Sequence, residues 1–215
     1  MELIFTKYLD QVIDGLLITL RLTASSFVLA MILGCILAAF RISPIGPLRV
    51  FGMLFVEFFR NIPMMCLIIV IVYALPDIGI MFSFDDSVLI ALTCVGASFI
   101  CEAMRTGINS IEPGQIEAAR SIGLGFMGVC GFVVFPQALR SMIQPFITTF
   151  IGMFLSSSLA GIVGVTDLTE AINRISNREA LGIGGFFVVA MVYLSISLGV
   201  GAIGARLEKR LRVIR

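Results

Sequence analysis

The sequence predicts an all-α integral membrane protein, with about five transmembrane helices in one domain over residues 1–215. Three observations carry this. Hydrophobic residues make up 59% of the chain and charged residues 13%, against about 45–50% and ~25% in a soluble domain, and mean hydropathy is +1.07. The apolar residues gather into five runs, each near the roughly 20 residues that a spanning helix needs. Lysine and arginine concentrate in alternate connections between the runs, which is how a multi-pass chain orients itself.

The first run covers roughly 16–40; Arg21 lies close enough to its end to snorkel. It is followed by a loop with Arg41 and Arg49 and no acid. The second run, 50–75, carries Glu57, Arg60, Asn61 and Pro63. Proline removes a backbone hydrogen bond, so a kink is expected there. The loop near 76–86 holds Asp77, Asp85 and Asp86 and no base. The third run, 87–104, closes on Glu102 and Arg105, whose spacing puts them on one face, either as a structural pair or as support for the segment that follows. A polar segment over 106–136 leads to the fourth run, 137–162. The next loop, 163–182, mixes Arg174 and Arg178 with Asp167, Glu170 and Glu179. The fifth run, 183–205, ends in a tail with Arg206, Lys209, Arg210, Arg212 and Arg215. Counting bases places the first and third loops and the tail in the cytoplasm and the N-terminus outside. The tail reads as a basic anchor on anionic lipid, at ~1 kcal/mol per base near the surface.

Composition excludes much else. The chain has no histidine, which removes imidazole acid–base chemistry, metal ligation and proton relays. Its five cysteines, Cys35, Cys66, Cys94, Cys101 and Cys130, lie in or beside apolar runs without a CxxC spacing, so they read as packing thiols. No metal site is expected. No basic stripe with interleaved aromatics suggests nucleic acid. The opening "MELIFTKYLDQVIDG" has Glu2, Asp10 and Asp14 where a signal peptide needs bases.

The most informative stretch is "GQIEAARSIGLGFMGVCGFVVFPQALR", residues 114–140. Pro113-Gly114 is a turn signal. Gln115 to Ile122 is rich in helix formers around Ala118 and Ala119. Glu117 is expected in the first turn, where it suits the helix dipole, within reach of Arg120. Ile116, Ala119 and Gly123 share a face, and Gly123 suits the left-handed cap that ends a helix. A second short helix is expected over 126–134, buried or interfacial because about ten residues cannot cross a bilayer. Pro136 then opens the next helix. A helix of ~12 Å with small alanines either fits a groove on another protein or merely joins two spans.

"EAARSIG" and "FPQALR" resemble the EAA loop of bacterial ABC importer permeases. The family spacing, Glu-Ala-Ala, three residues, Gly, nine residues, Ile, one residue, Leu-Pro, falls on Glu117, Ala118, Ala119, Gly123, Val133, Phe135 and Pro136. Val133 and Phe135 are conservative departures. "GLLITLRLT", "VEFFRNIPMM", "EAMRTGINSIEPGQIEAARSIGL" and "GIVGVTDLTEA" are similar to segments of the polar amino acid permeases. Where that family often reads Lys-Asp-Thr-Ser-Leu, this chain reads "LSSSL", so roles tied to the lysine and aspartate do not carry over. The resemblance implies a type I ABC importer permease in the bacterial inner membrane. It further implies a second permease subunit, identical or sister, two ABC ATPase subunits beneath and an extracytoplasmic binding protein above. The 106–136 segment would be a coupling helix, with Glu117 making a polar contact, Gly123 allowing the bend, and Gly114, Ala118, Ala119 and Pro136 completing the motif. ATP would bind the partner. This chain lacks GxxxxGK[ST], and its two lysines, Lys7 and Lys209, follow no glycine-rich turn. It is not expected to be an enzyme.

For the path, charges inside a bilayer are costly and point to function or pairing. Glu57 and Arg60 either meet the charged ends of an amino acid or pair with each other. Asn61 and Pro63 follow them. Ser156, Ser157 and Ser158 lie about 30 Å beyond Pro136 and either line a vestibule or pack between helices. Similarity to acidic amino acid permeases suggests glutamate or aspartate first, with glutamine, histidine or arginine as alternatives. A self-sufficient ion-coupled transporter is the competing class, for which Glu57 is the one clear carboxylate well inside a run. A membrane enzyme, without histidine or paired carboxylates, is a poor third.

Overall fold

The computed structural model describes residues 7–211. Residues 1–6, which bear on the signal-peptide expectation, and Arg212 and Arg215 of the tail lie outside the described residues. Among those described, every regular element is helical. Four helices are long and apolar enough to cross a membrane, or five if a bent pair counts as one span.

Helix α1, Leu9–Ile42, is 34 residues long, about 51 Å, and begins well before the expected run while ending close to its expected end. Helix α2 is Gly46–Asn61 and α3 is Met64–Ile78; they meet at a bend of 106°. The expected kink at Pro63 is therefore a break. Its cause is local: Ile62 precedes a proline and is held extended at φ −86°, ψ 133°, because the pyrrolidine ring excludes the helical region one residue back. Helix α3 widens to a π-helix over Val70–Ala74 before Pro76, then ends at Gly79, whose φ is +84°. Helix α4, Phe84–Asn109, starts with Ser83 accepting the amide of Asp86, an N-cap with two acids in the first turn.

Helix α5, Pro113–Ser121, is followed by α6, Phe126–Val163. The separate short helix expected over 126–134 does not form. Those residues are the first turns of α6, a π-helix over Val129–Val134 joined directly to Phe135–Ser156. Pro136 has no amide hydrogen for the carbonyl four residues back, and the chain passes it by widening the turn. Gln137 donates its side-chain amide to the Val133 carbonyl at 3.0 Å. Val129 is buried, while Phe126, Met127 and Phe132 are largely exposed, so of the two expected settings the segment fits the interfacial one better than the buried one. The loop expected over 163–182 contains an amphipathic helix, α7, Leu168–Glu179. Helix α8, Ile183–Leu211, closes the chain.

The bundle is built on α1 and α4. Ala30, Gly34 and Ala38 recur every fourth residue on α1, and a Cβ on Gly34 would lie 2.6 Å from Ile100 and 3.0 Å from the Ala97 carbonyl. Gly96 sits against Ala30 and Met153 in the same way. Small residues let helices approach closely in lipid, where the hydrophobic effect does not drive them together. These contacts set the level of each helix. Ala30, Gly96 and Met153 lie near the middle of α4's ~39 Å. Gly15 meets Asp167 at one end, while Gly107 meets Met142 and Gly204 meets Ile147 at the other. The latter, where Arg41, Arg105, Arg206 and Arg210 gather, is the basic end.

Gly34→Leu is expected to force α1 and α4 apart and cost about 1–3 kcal/mol. The half-inactivation temperature of the detergent-solubilised protein should fall, while Gly46→Leu, with nothing within 4 Å, should leave it unchanged.

Candidate functional site

Helix α5 projects from the basic end on a short apolar root. Ile111 and Ala119 are buried, and Ile116 packs with Ile111, Ala138 and Met142. The other face is open: Gly114, Glu117, Ala118 and Ser121 are exposed. The expected cap forms in full. Gly123 has φ +90°, its amide donates to Arg120 and that of Leu124 donates to Ala119, the two bonds of a Schellman ending. Ile122, just before this turn, is 81% exposed. Two expectations fail. Pro113-Gly114 is the first turn of the helix rather than a turn before it, since proline suits a position whose amide is unpaired anyway. Glu117 thus falls beyond the first turn, and no ion pair joins it to Arg120. Both side chains are free to face outward. Pro136 is half-buried in the wall of α6.

Above α5 lies a belt of charge inside the bundle. Glu102 of α4 pairs with Arg105 at 3.1 Å and with Arg41 from the end of α1. Arg60 is near enough for its charge to act on Glu102. Taking Gly96 as the midpoint, Glu102 lies about 9 Å toward the basic end, within the ~30 Å hydrocarbon layer of a bilayer. Glu57 is therefore not the only carboxylate well inside a span. Two arginines thus hold one carboxylate. The Glu102–Arg105 pair is structural as expected, but Arg41, counted only as a loop base, is its second partner. Nothing in the sequence links positions 61 residues apart.

Glu57 and Arg60 do not pair. Both are exposed. Asn61 donates to the Glu57 carbonyl at 2.6 Å and its carboxylate at 3.4 Å. The Arg60 guanidinium lies 5.5 Å over the ring of Phe99, a cation–π contact. Pro63, at the break, is exposed.

Phe99 also lines a cavity of about 310 Å³ between α3, α4 and α6. Met64, Leu92, Val95 and Met153 form its apolar walls, and Thr148, Thr149 and Ser156 are its hydroxyls. It lies at the level of Gly96, midway through the bundle. The three serines do not act together, because a 3₁₀-helix begins at Ser157 and turns them apart. Ser156 faces the cavity. Ser157 is fully buried, donating to the Phe154 carbonyl at 2.7 Å and accepting from Thr23 at 3.4 Å. Ser158 bonds back to Leu155.

The opposite end holds a polar cluster that sequence reading missed. Asp167 is 0% exposed. It caps α7 by accepting the Glu170 amide at 2.9 Å and accepts from the Tyr193 hydroxyl at 3.3 Å. Thr19 of α1 accepts the Leu168 amide at 3.0 Å. Burial pushes the Asp167 carboxyl above its ordinary range, against these hydrogen bonds. At the far end of α7, Lys7 pairs with Glu179 at 2.8 Å and Tyr8 also donates to it, which together hold that carboxyl low. Helix α7 is tied down at both ends, with Leu168, Ile172 and Ile175 beneath it. Its Asp-x-x-Glu start was the one available signal.

Known proteins share this arrangement. The sequence pattern of the family described as binding-protein-dependent transport system inner membrane component matches residues 30–213. The chain is 33% identical to a probable glutamine ABC transporter permease protein of Bacillus subtilis, over 92% of each chain. It is 28% identical to a glutamate/aspartate import permease protein of Escherichia coli, over 94% of each. A crystal structure of an amino acid ABC transporter with histidines superposes with a TM-score of 0.91 at 26% identity, covering 97% of both chains.

Two outcomes test this geometry. Glu102→Gln leaves Arg41 and Arg105 without their carboxylate and is expected to destabilise the solubilised protein by about 2 kcal/mol; Glu57→Gln should not. Because the native pKa of Asp167 is raised, its contribution is full below about 3.8 and is lost as pH rises through the raised value. Thermal stability scanned against pH should therefore rise on acidification through that window, by comparison with Asp167→Asn, in which this component is absent.

Proposed function

The chain belongs to the family of binding-protein-dependent transport system inner membrane components, and from that membership we propose that it forms the translocation path of an ATP-driven importer of polar amino acids. The observation that carries the coupling reading is α5: a short helix rooted by Ile116 and Ala119, with Gly114, Glu117 and Ala118 open to an incoming surface. An ABC ATPase subunit is the partner for that face, and ATP binds there rather than on this chain. The basic end then faces the cytoplasm and the end carrying α7 faces outward, in keeping with the base counts. A second permease subunit completes the path. The polar outer face of α7, with Glu170 and Arg174 paired at 2.7 Å, faces an extracytoplasmic binding protein.

The central cavity is the candidate transit site. Thr148, Thr149 and Ser156 offer hydroxyls at mid-bilayer depth, and Arg60 stands beside it over Phe99. A substrate's carboxylate would move toward Arg60, with Glu57 and Asn61 on the same helix and Pro63 holding the elbow. Arg60 beside the cavity and the similarity to a glutamate/aspartate import permease support an acidic amino acid, glutamate or aspartate, as substrate. No chemical step is assigned to the chain.

The test is uptake of labelled glutamate in cells and pull-down in mild detergent, with Glu117 intact and as Glu117→Lys. The native chain is expected to bring down an ATPase and support ATP-dependent uptake. Reversing the charge should lower both at least ~10-fold, equivalent to about 1.4 kcal/mol, at unchanged membrane level. Competition by unlabelled glutamate, glutamine or arginine reads the substrate class. A chain that purifies alone and drives uptake from an ion gradient would overturn the reading.

A further inference from the structure

We propose that the basic end of α8 binds an anionic phospholipid, its phosphate held by Arg206, Lys209 and Arg210 and an acyl chain laid along Ile203 and Leu207. These residues line an open groove of about 620 Å³. Residues 203, 206, 207 and 210 are spaced i, i+3, i+4 and i+7, which makes one face of a helix. All five are exposed, and the three cations have no ion-pair partner among the described residues. The neighbouring carboxylate, Glu208, lies one turn after Gly204, whose face is pressed onto Ile147 of α6. It is half-buried there and turned from the groove.

Depth is the second argument. Ile147 is six residues below Met153, so Gly204 lies about 9 Å from the bilayer middle. Arg206 and Arg210 follow at about 12 and 18 Å. They straddle the edge of the hydrocarbon, ~15 Å from the middle, from which long cationic side chains extend to the headgroup phosphates just beyond it. Ile203 and Leu207 reach into the acyl region. The groove is thus apolar on its membrane side and cationic at phosphate level, a layout that matches one amphipathic molecule. The surroundings agree: of the four long spans, α8 is the least covered by the rest of the protein, with 17% of its apolar window buried. A protein partner would be met by cations alone, with the apolar part left in lipid.

The inference stands apart from the transport reading and is tested without it. The protein, purified in mild detergent with whatever accompanies it, is mixed with equal phosphatidylglycerol and phosphatidylcholine and examined by native mass spectrometry. It is expected to retain phosphatidylglycerol selectively. Arg206→Gln/Lys209→Gln/Arg210→Gln should cut that retention at least ~10-fold, and Arg206→Lys/Arg210→Lys should preserve it, because a phosphate accepts a point charge. Should the triple variant fail to assemble, Ile203→Ser/Leu207→Ser, which keeps every charge, is expected to reduce retention severalfold while soluble glycerol phosphate still fails to displace the lipid. Equal retention of the two lipids, or displacement by glycerol phosphate, would overturn the proposal. So would a triple variant that loses a protein partner but keeps its phosphatidylglycerol.

Discussion

The contact between α1 and α4 is the constraint on which the other features depend. Lipid tails are as apolar as leucine, so two spans gain little by hiding apolar surface from them and associate through close packing instead. Ala30, Gly34 and Ala38 on one helix and Gly96 and Ala97 on the other make that approach. The approach fixes the relative height of the two helices, and height decides which polar groups meet. Thr19 reaches the start of α7, and Arg41 reaches Glu102. A shift of one turn, about 5.4 Å, would strand both.

Prolines shape what surrounds this pair. A span in lipid must satisfy its backbone internally, so each interruption needs a local remedy. At Pro63 the helix stops and restarts at a steep angle, and Met64, the first residue after it, forms part of the cavity wall. At Pro76 and Pro136 the preceding turn widens to a π-helix. The widened turn before Pro136 lies between α5 and the long part of α6. A displacement of α5 would therefore reach the cavity wall through a segment already departing from regular helix geometry. The Schellman ending at Gly123 supplies the turn that lets α5 stand away from the bundle.

Charge is distributed by depth. Outside the bilayer, acids and bases mix on α7 and on α5. Inside the bundle, Glu102 is paired with Arg41 and Arg105, which satisfies the carboxylate. The opposite polar cluster holds a carboxylate with hydrogen-bond donors and, among the described residues, no ion-pair partner: Asp167 is kept by an amide and the Tyr193 hydroxyl. The two clusters have different characters. One is an ion-paired cluster at the basic end, and the other is a hydrogen-bonded rivet under α7.

Much of the architecture was legible from composition and spacing. Long apolar runs demand helices that span, an internal glycine after "EAARSI" demands a helix end, and proline at 63 demands an interruption. These are local or one-dimensional constraints, and a sequence states them directly. The size of the break at Pro63 was not legible, since proline forbids the straight path without choosing the angle. The merging of 126–134 into α6 was missed because length was judged over ten residues alone, while the helix continues through Pro136. Glu57 and Arg60 looked like partners on one face, yet Arg60 is drawn to Phe99 and Asn61 takes Glu57. Ser156, Ser157 and Ser158 looked equivalent until a 3₁₀ turn separated them. By itself, then, the sequence determined that the chain is built of long apolar helices, that α5 ends at Gly123 and that proline interrupts the second run. Only the tertiary structure decided which charges meet and which hydroxyl faces the cavity, because those depend on the height and rotation of helices far apart in the chain, which no local pattern records.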